Sequence, residues 1–365
     1  MSFSKKNGIE PAFWSGKRVF ITGHTGFKGS WLSIWLANMG AQVTGYALAP
    51  NTTPNLYEVL DVGGSIYQSH IGDIRDIAQL RQAMTNASPE IVLHMAAQPL
   101  VRYSYDHPIE TYSTNVMGTV NLLECVRVLN TVSAVVVVTT DKCYENKEWE
   151  WGYREIDALG GHDPYSSSKG CAELVTAAYR ESYFPAKKYH EHRVAIASAR
   201  AGNVIGGGDW SADRLIPDAF RAFEAKRALV IRNPLATRPW QHVLEPLSGY
   251  LILAKALYLN GTEFNGGWNF GPKNEDARSV NEVINLLMDN WKFESNWIQE
   301  KNEQPHEANS LILDCSKASQ RLGWTPEWSL EKSIKETVEW QHALLANANM
   351  KNYSLEQINR YELKR

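Results

Sequence analysis

The segment Val19-Phe20-Ile21-Thr22 runs directly into Gly23-His24-Thr25-Gly26-Phe27-Lys28-Gly29, and an apolar helical pattern begins at once behind it. A β-branched strand, a glycine-punctuated turn and a helix in immediate succession leave few folds open. The glycines permit a tight turn, a close approach of backbone to a diphosphate, and close packing of helix on strand. The helix N-terminus then offers free N–H groups and a positive dipole end to anionic oxygens.

The same rhythm continues for two hundred residues. Strands are predicted at Arg18–Thr22, Gln42–Tyr46, Ser65–Ser69, Ile91–His94, Ala134–Thr139 and Val194–Ala199. Helices are predicted between them at Phe27–Met39, Ile77–Asn86, Ile109–Val128 and Pro164–Tyr183. Alternation on this scale implies parallel strands joined by right-handed crossovers. The apolar run Ala134–Val138 suits a sheet covered on both faces. The expected fold class is α/β, a doubly wound parallel (Rossmann) sheet with a smaller C-terminal α/β lobe. After Asn203 the rhythm changes. Gly206-Gly207-Gly208-Asp209 reads as a loop, followed by helices near Pro217–Lys226, Leu244–Leu257, Ser279–Trp291 and Leu330–Leu345 and a strand near Leu229–Arg232. The expected division is a discontinuous dinucleotide-binding domain over residues 1–205 and 234–275, and a substrate lobe over 206–233 and 276–365. The final stretch, Met350–Arg365, reads equally as an amphipathic tail or as loose chain.

Bulk properties remove several functions. A net charge of −3 gives no basic field for nucleic acid or an anionic membrane. No apolar stretch reaches the length of a membrane span, and the start Met1-Ser2-Phe3-Ser4-Lys5-Lys6 does not resemble a secretory leader. The four cysteines (Cys125, Cys143, Cys171, Cys315) lack paired spacing, so reduced thiols in a cytoplasmic protein are expected. His190-Glu191-His192 is read as a solvated loop, and no metal is expected. Tryptophan is abundant at 13 residues, which suggests large buried contacts.

Chemistry concentrates at two places. Tyr165 and Lys169 stand four apart on a predicted helix, hence on one face. A phenol titrates near ~10, but a neighbouring ammonium and a nicotinamide cation favour the phenolate. That phenolate can take a hydroxyl proton as hydride leaves the same carbon. Thr139-Thr140-Asp141-Lys142 ends the fifth strand, at the sheet edge where such folds bind ligands. Thr140 suits a hydrogen bond to the reacting hydroxyl. Asp141 suits protonation of a departing hydroxyl, and Lys142 suits removal of a carbon-bound proton beside a ketone. Both last roles require perturbed pKa values.

The loop spacing is GxxGxxG, and it resembles that of the extended short-chain dehydrogenase/reductase family. Further matches follow in order: Asp73-Ile74 after the third strand, Ala96-Ala97-Gln98 after the fourth, Asn115, and Tyr165 with Lys169. The resemblance implies that Gly23, His24, Thr25, Gly26, Phe27, Lys28, Gly29, Asp73, Ile74, Ala96, Ala97, Gln98, Tyr165 and Lys169 bind the dinucleotide. The residues alone leave NAD and NADP open. No acid ends the second strand at Thr44-Gly45-Tyr46-Ala47-Leu48, and Lys28 suits either a 2′-phosphate or a plain helix start.

Thr140-Asp141-Lys142-Cys143-Tyr144, with Asp163-Pro164-Tyr165-Ser166, resembles the sugar-nucleotide 4,6-dehydratases that act on CDP-glucose. The likeness extends through Gly206–Trp210 and Arg238–Val243. It implies NAD as cofactor and Thr140, Asp141, Lys142, Tyr165 and Lys169 in catalysis. The implied reaction is oxidation at C4, loss of water across C5 and C6, and hydride return to C6, giving CDP-4-keto-6-deoxy-D-glucose. A place in 3,6-dideoxysugar or O-antigen biosynthesis follows from the same likeness. Inverting UDP-N-acetylglucosamine dehydratases share the Asp-Lys pair, so that pair alone does not name the nucleotide. Asn203, Arg214 and Arg238 are candidates for sugar and diphosphate, since a guanidinium fork suits phosphate oxygens. The resemblance further implies a homodimer or dimer of dimers, through helices beginning near Ile109 and Pro164. A 4-epimerase on the same fold is the rival, and a noncatalytic dinucleotide-binding protein stands last.

Overall fold

The computed structural model describes residues 8–292, 296–300 and 311–363. The polar opening segment, residues 1–7, lies outside them. Six strands alternate with helices: β1 (Arg18–Thr22), β2 (Gln42–Ala47), β3 (Gln68–Ile71), β4 (Ile91–His94), β5 (Ala134–Val138) and β6 (Ala195–Ala201). A seventh, Gly266–Phe270, pairs with β6. The order across the sheet is Gly266–Phe270, β6, β5, β4, β1, β2, β3, every pairing parallel. All residues of β5 and β6 are buried, as a doubly covered sheet demands.

Each face has its own core. On one, Val19, Ile21, Val136 and Ala197 pack with Trp31, Trp35, Leu251 and Leu253 from the helices Phe27–Asn38 and Leu244–Asn260. On the other, Phe20, Val92, Val135 and Ile196 pack with Leu80, Met84, Leu122 and Val126 from the helices Ile77–Ala87 and Gly118–Val128. The lobe has a separate core. There Ile216, Phe220 and Phe223 of the helix Leu215–Glu224 meet Ile284 and Leu287 of Val280–Trp291 and Ile334 and Val338 of Leu330–Leu345.

Several elements depart from the sequence reading for physical reasons. The third strand begins at Gln68 rather than Ser65, because Val62–Ser65 closes a helical turn and the β2 pairing starts at Gln68. The helix expected over Ile109–Val128 is three pieces: Pro108–Tyr112, a π turn at Ser113–Met117, and Gly118–Val128. The wide turn swings Asn115 inward, where it bonds Gln98 and Ser168. Gly266–Phe270 carries two glycines and gave no strand signal. Gly267 is required there, since a Cβ would sit 2.7 Å from the Arg200 guanidinium.

The stretch after residue 276 splits between two cores. Val280–Trp291 belongs with the lobe, whereas Trp324, Trp340, Met350, Ile358 and Tyr361 pack beneath the sheet. The final segment is not loose. It forms the helix Met350–Glu362, and Trp35 Nε1 donates to Glu362 at 2.6 Å. Among the described residues no helix is long and apolar enough to cross a membrane, and no cluster of metal-ligating side chains occurs. The four cysteines are free thiols.

Candidate active site

β1 lies between β4 and β2, so the chain diverges in opposite directions at its carboxyl end. Open α/β sheets form their ligand crevice at such a point. Gly23 turns there with φ +81°, and a Cβ on it would stand 2.8 Å from the Ala96 nitrogen. A Cβ on Gly29 would stand 2.0 Å from the Gly23 carbonyl oxygen, so helix and turn meet without room for a side chain. At Gly26 the nearest atom to such a Cβ is at 3.4 Å. The chain's own packing does not demand that glycine. Gly26 also caps the helix Phe27–Asn38 without a side-chain bond, leaving its first N–H groups for an anion. These features fit a dinucleotide diphosphate.

The remaining loop residues divide. Thr25 Oγ1 donates to the Leu48 carbonyl at 2.8 Å, tying the loop to the end of β2. Phe27 lies beside Gly206 at the lobe boundary. His24 is buried, bonds Ser69 at 2.8 Å, and fills the space that Gly45 leaves in β2. Burial lowers its imidazole to about 4, so the ring is a neutral packing element. Ala96 and Met95 donate backbone N–H bonds to Thr22 Oγ1, and Gln98 is clasped by Asn115, so the turn after β4 is fixed. Asp73 is occupied by Arg75, in bonds of 2.6–3.0 Å. Ile74 is buried against Gly118.

Lys28 turns away from the ends of β2 and β3. Its Nζ lies 5.9 Å from the centre of the Tyr250 ring. Burial lowers its pKa to about 7, Arg214 and Lys169 push the same way, and Asp141 opposes them. Lys28 therefore belongs with the catalytic cluster.

The catalytic helix starts where the sequence compels it. Pro164 occupies its first turn, and the Asp163 carboxylate accepts the Ser166 N–H at 2.9 Å. Ser104 Oγ accepts the Tyr165 N–H at 3.1 Å. Tyr165 and Lys169 are both buried, at 8% and 7% exposure. Lys169 Nζ donates to the Val138 carbonyl at 3.2 Å. Burial lowers Lys169 to about 8, while Glu173 and Cys143 oppose that. Burial pushes the Tyr165 phenol up to about 12, against a Thr140 hydrogen bond and the Arg214 charge, which favour the phenolate.

Thr140 caps the short turn Asp141–Cys143 and donates to Asp141 Oδ1 at 2.9 Å. Asp141 is buried. That burial raises its pKa from the ordinary carboxylate value, against the opposing charges of Lys142 and Arg238 and the Thr140 bond. A raised carboxyl is what a proton donor requires. Gly202 makes room for it, since a Cβ there would be 2.8 Å from Asp141 Oδ2. Lys142 is part-buried on the same turn.

From the lobe side, Arg214 is held by Asp209 at 2.9 Å and faces Tyr165 and Lys28. Arg238 is buried and faces Asp141. Asn203 leaves β6 with its carbonyl accepting the Gln241 N–H at 3.1 Å. His242 is a packing residue between Trp31 and Trp328. Thr140, Asp141, Tyr165, Lys169, Lys28, Arg214 and Arg238 thus converge on one crevice. Sequence reasoning missed Tyr250, fully buried with its hydroxyl unpartnered and facing Tyr165 and Asp141. It also missed Glu173 and Arg200, a buried ion pair at 2.8 Å. An acid four positions after Lys169 was the available signal for the first of that pair.

A doubly wound sheet with this glycine turn and a buried Tyr–Lys helix defines an extended short-chain dehydrogenase/reductase. The family model described as GDP-mannose 4,6 dehydratase matches residues 20–337, and the chain belongs to that family. The CDP-glucose 4,6-dehydratase of Salmonella typhimurium is 55% identical over 353 residues, covering 97% of this chain and 98% of that protein. The UDP-glucose 4-epimerase of Mycoplasma pneumoniae is distant, 25% identical over 87% of this chain and 95% of its own. Among solved structures, dTDP-glucose 4,6-dehydratase from Bacillus anthracis in complex with NAD superimposes with a TM-score of 0.73 at 21% identity. It covers 89% of this chain and 96% of that one.

Proposed function

We propose that this chain dehydrates CDP-D-glucose to CDP-4-keto-6-deoxy-D-glucose with NAD as its cofactor. The observation that carries this reading is the buried Asp141 beside Thr140, its pKa raised by burial, on the turn that faces Tyr165. A 4-epimerase needs the Thr140, Tyr165 and Lys169 functions but gives Asp141 and Lys142 no chemistry. The 55% identity to a CDP-glucose 4,6-dehydratase supports the same choice.

Each residue then has a task. Tyr165 as phenolate takes the proton of the C4 hydroxyl, with Thr140 beside it and the Lys169 ammonium stabilising the charge. NAD, when bound on Gly23–Gly29, supplies the hydride acceptor and later the donor. Lys142 removes the proton on C5 once C4 is a ketone. Asp141 gives its proton to the departing C6 hydroxyl. Asn203, Arg214 and Arg238 hold sugar and diphosphate, and the two guanidiniums compensate phosphate charge. Gly23–Gly29, Asp73–Ile74 and Ala96–Gln98 line the dinucleotide.

We read the chain as a cytoplasmic homodimer. Ile109, Met117 and Leu174 are 85%, 51% and 59% exposed on the two helix systems expected to pair, an apolar face that a second copy would cover. The discontinuous two-part division is proposed for the chain up to Trp291, since Trp324, Trp340, Met350, Ile358 and Tyr361 belong to the core beneath the sheet.

The test is incubation with CDP-, dTDP-, GDP- and UDP-glucose in deuterated buffer with NAD or NADP. A 4-keto-6-deoxy product from CDP-glucose with deuterium at C5 supports the reading. Release of only the 4-epimer rejects it.

A further inference from the structure

We propose that Glu173 is a positioning residue, holding Lys169 and the Thr140–Asp141–Lys142 turn as one unit. This rests on the catalytic reading above. Tyr165, Lys169 and Glu173 recur at every fourth position of Pro164–Ser182 and share a face. Glu173 is 4% exposed. Its Oε1 accepts from Thr139 Oγ1 at 2.5 Å, and its Oε2 accepts from Ser198 at 2.6 Å and Arg200 at 2.8 Å. One carboxylate therefore joins the exit of β5, the interior of β6 and the catalytic helix.

Arg200 carries the network onward. Its Nη1 donates to the Tyr144 hydroxyl at 2.7 Å and to the Glu155 carbonyl at 3.1 Å. The guanidinium lies 4.9 Å from the Tyr144 ring centre, and Tyr144 donates to Asn269 Oδ1 at 2.8 Å. Thr139 directly precedes the catalytic turn and Tyr144 closely follows it, so the same ion pair pins the turn at both ends. Stability alone is a poor account of this. A buried ion pair is often no better than apolar groups of equal volume.

The charge has a second use. Glu173 and Cys143 are the acidic groups that face the Lys169 ammonium, and Lys28 and His94 are the basic ones. Glu173 is the main group opposing the effect of burial on Lys169. Without it the ammonium is lost at lower pH, and with it the support for the Tyr165 phenolate.

The experiment measures kcat against pH, with NAD and CDP-glucose, and melting for each variant. Glu173→Gln should move the alkaline limb of kcat down by about one pH unit, and Glu173→Asp should restore it. Thr139→Val keeps the charge and loses the bond, so kcat should fall about tenfold with the limb unmoved. A folded Glu173→Gln with the parent's rate and profile overturns the proposal. If Glu173→Gln does not fold, Glu173→Met with Arg200→Met decides, since no orphan charge is left buried. A parent-like limb in that double variant, or parent kcat in Thr139→Val, also overturns it. A parent chain silent on every sugar nucleotide fails differently, because it removes the catalytic reading first.

Discussion

The turn after β5 and the interior of the catalytic helix each bury a carboxylate, and they treat it in opposite ways. Asp141 is 3% exposed and accepts a side-chain bond from Thr140. Burial there wins over Lys142, Thr140 and Arg238, and the pKa rises. Glu173 is 4% exposed, and burial pushes it upward too. Arg200, Ser198 and Thr139 reverse that, and its pKa falls. Equal burial thus favours the protonated carboxyl in one place and the anion in the other. The number and charge of the donors decide which, and depth does not.

The largest effect should come from emptying the turn of its chemistry. Asp141→Asn with Lys142→Met removes acid and base while leaving Thr140, Tyr165 and Lys169. Dehydration should fall about 10²- to 10⁴-fold, while reduced cofactor still accumulates on mixing with CDP-glucose. Tyr165→Phe should suppress both signals. Near-parent dehydration by the double variant would break the division of roles.

A smaller effect separates the two carboxylates by stability. Asp141 has a raised folded pKa, so between its unfolded value and that raised value the native state holds more protons. Stability from this group is therefore full at low pH and is lost as pH rises through the folded pKa. Asp141→Asn should melt higher than the parent at neutral pH, and the gain should vanish in acid. Glu173 has the opposite sign: its contribution is present above its unfolded pKa and is lost as pH falls through the folded one. Melting curves across pH check both. An Asp141→Asn variant less stable than the parent at neutral pH would mean that its charge is well compensated.

What the chain reveals by reading follows the same contrast. Asp141, Lys142, Tyr165 and Lys169 were legible because each stands at a fixed offset from a strand end or from one another. The glycine turn was legible for the same reason, and its steric logic is visible at Gly23 and Gly29. The direction of Lys28 was not, since it depends on a tertiary approach to Tyr250, far away in the sequence. Arg200 and Asn269 were silent because their meaning comes from strands distant in sequence: Asn269 lies directly opposite Arg200 in the pairing of Gly266–Phe270 with β6. Asn115 was noted as a helix residue, but its inward swing needs a π turn that no periodicity announces.

A third carboxylate, far from the crevice, sets the lower bound of the comparison. Glu245 is fully buried and accepts from the Glu327 and Trp328 N–H groups and from the Tyr361 hydroxyl at 2.7 Å. Tyr361 belongs to the terminal helix, which docks on the helix that opens the dinucleotide turn. Tyr361→Phe removes the hydroxyl's hydrogen bonds to Glu245 and Ser248 and keeps the ring packed on Trp35 and Trp328. The expected cost is about 1.5–3 kcal/mol of stability, measured by denaturant unfolding. Turnover, its pH profile and NAD affinity should stay at parent values, because this carboxylate touches neither the phenol nor the catalytic turn. A shifted NAD affinity in that variant would show instead that the terminal helix sets the angle of Phe27–Asn38. The glycine turn would then depend on a contact at the opposite end of the chain.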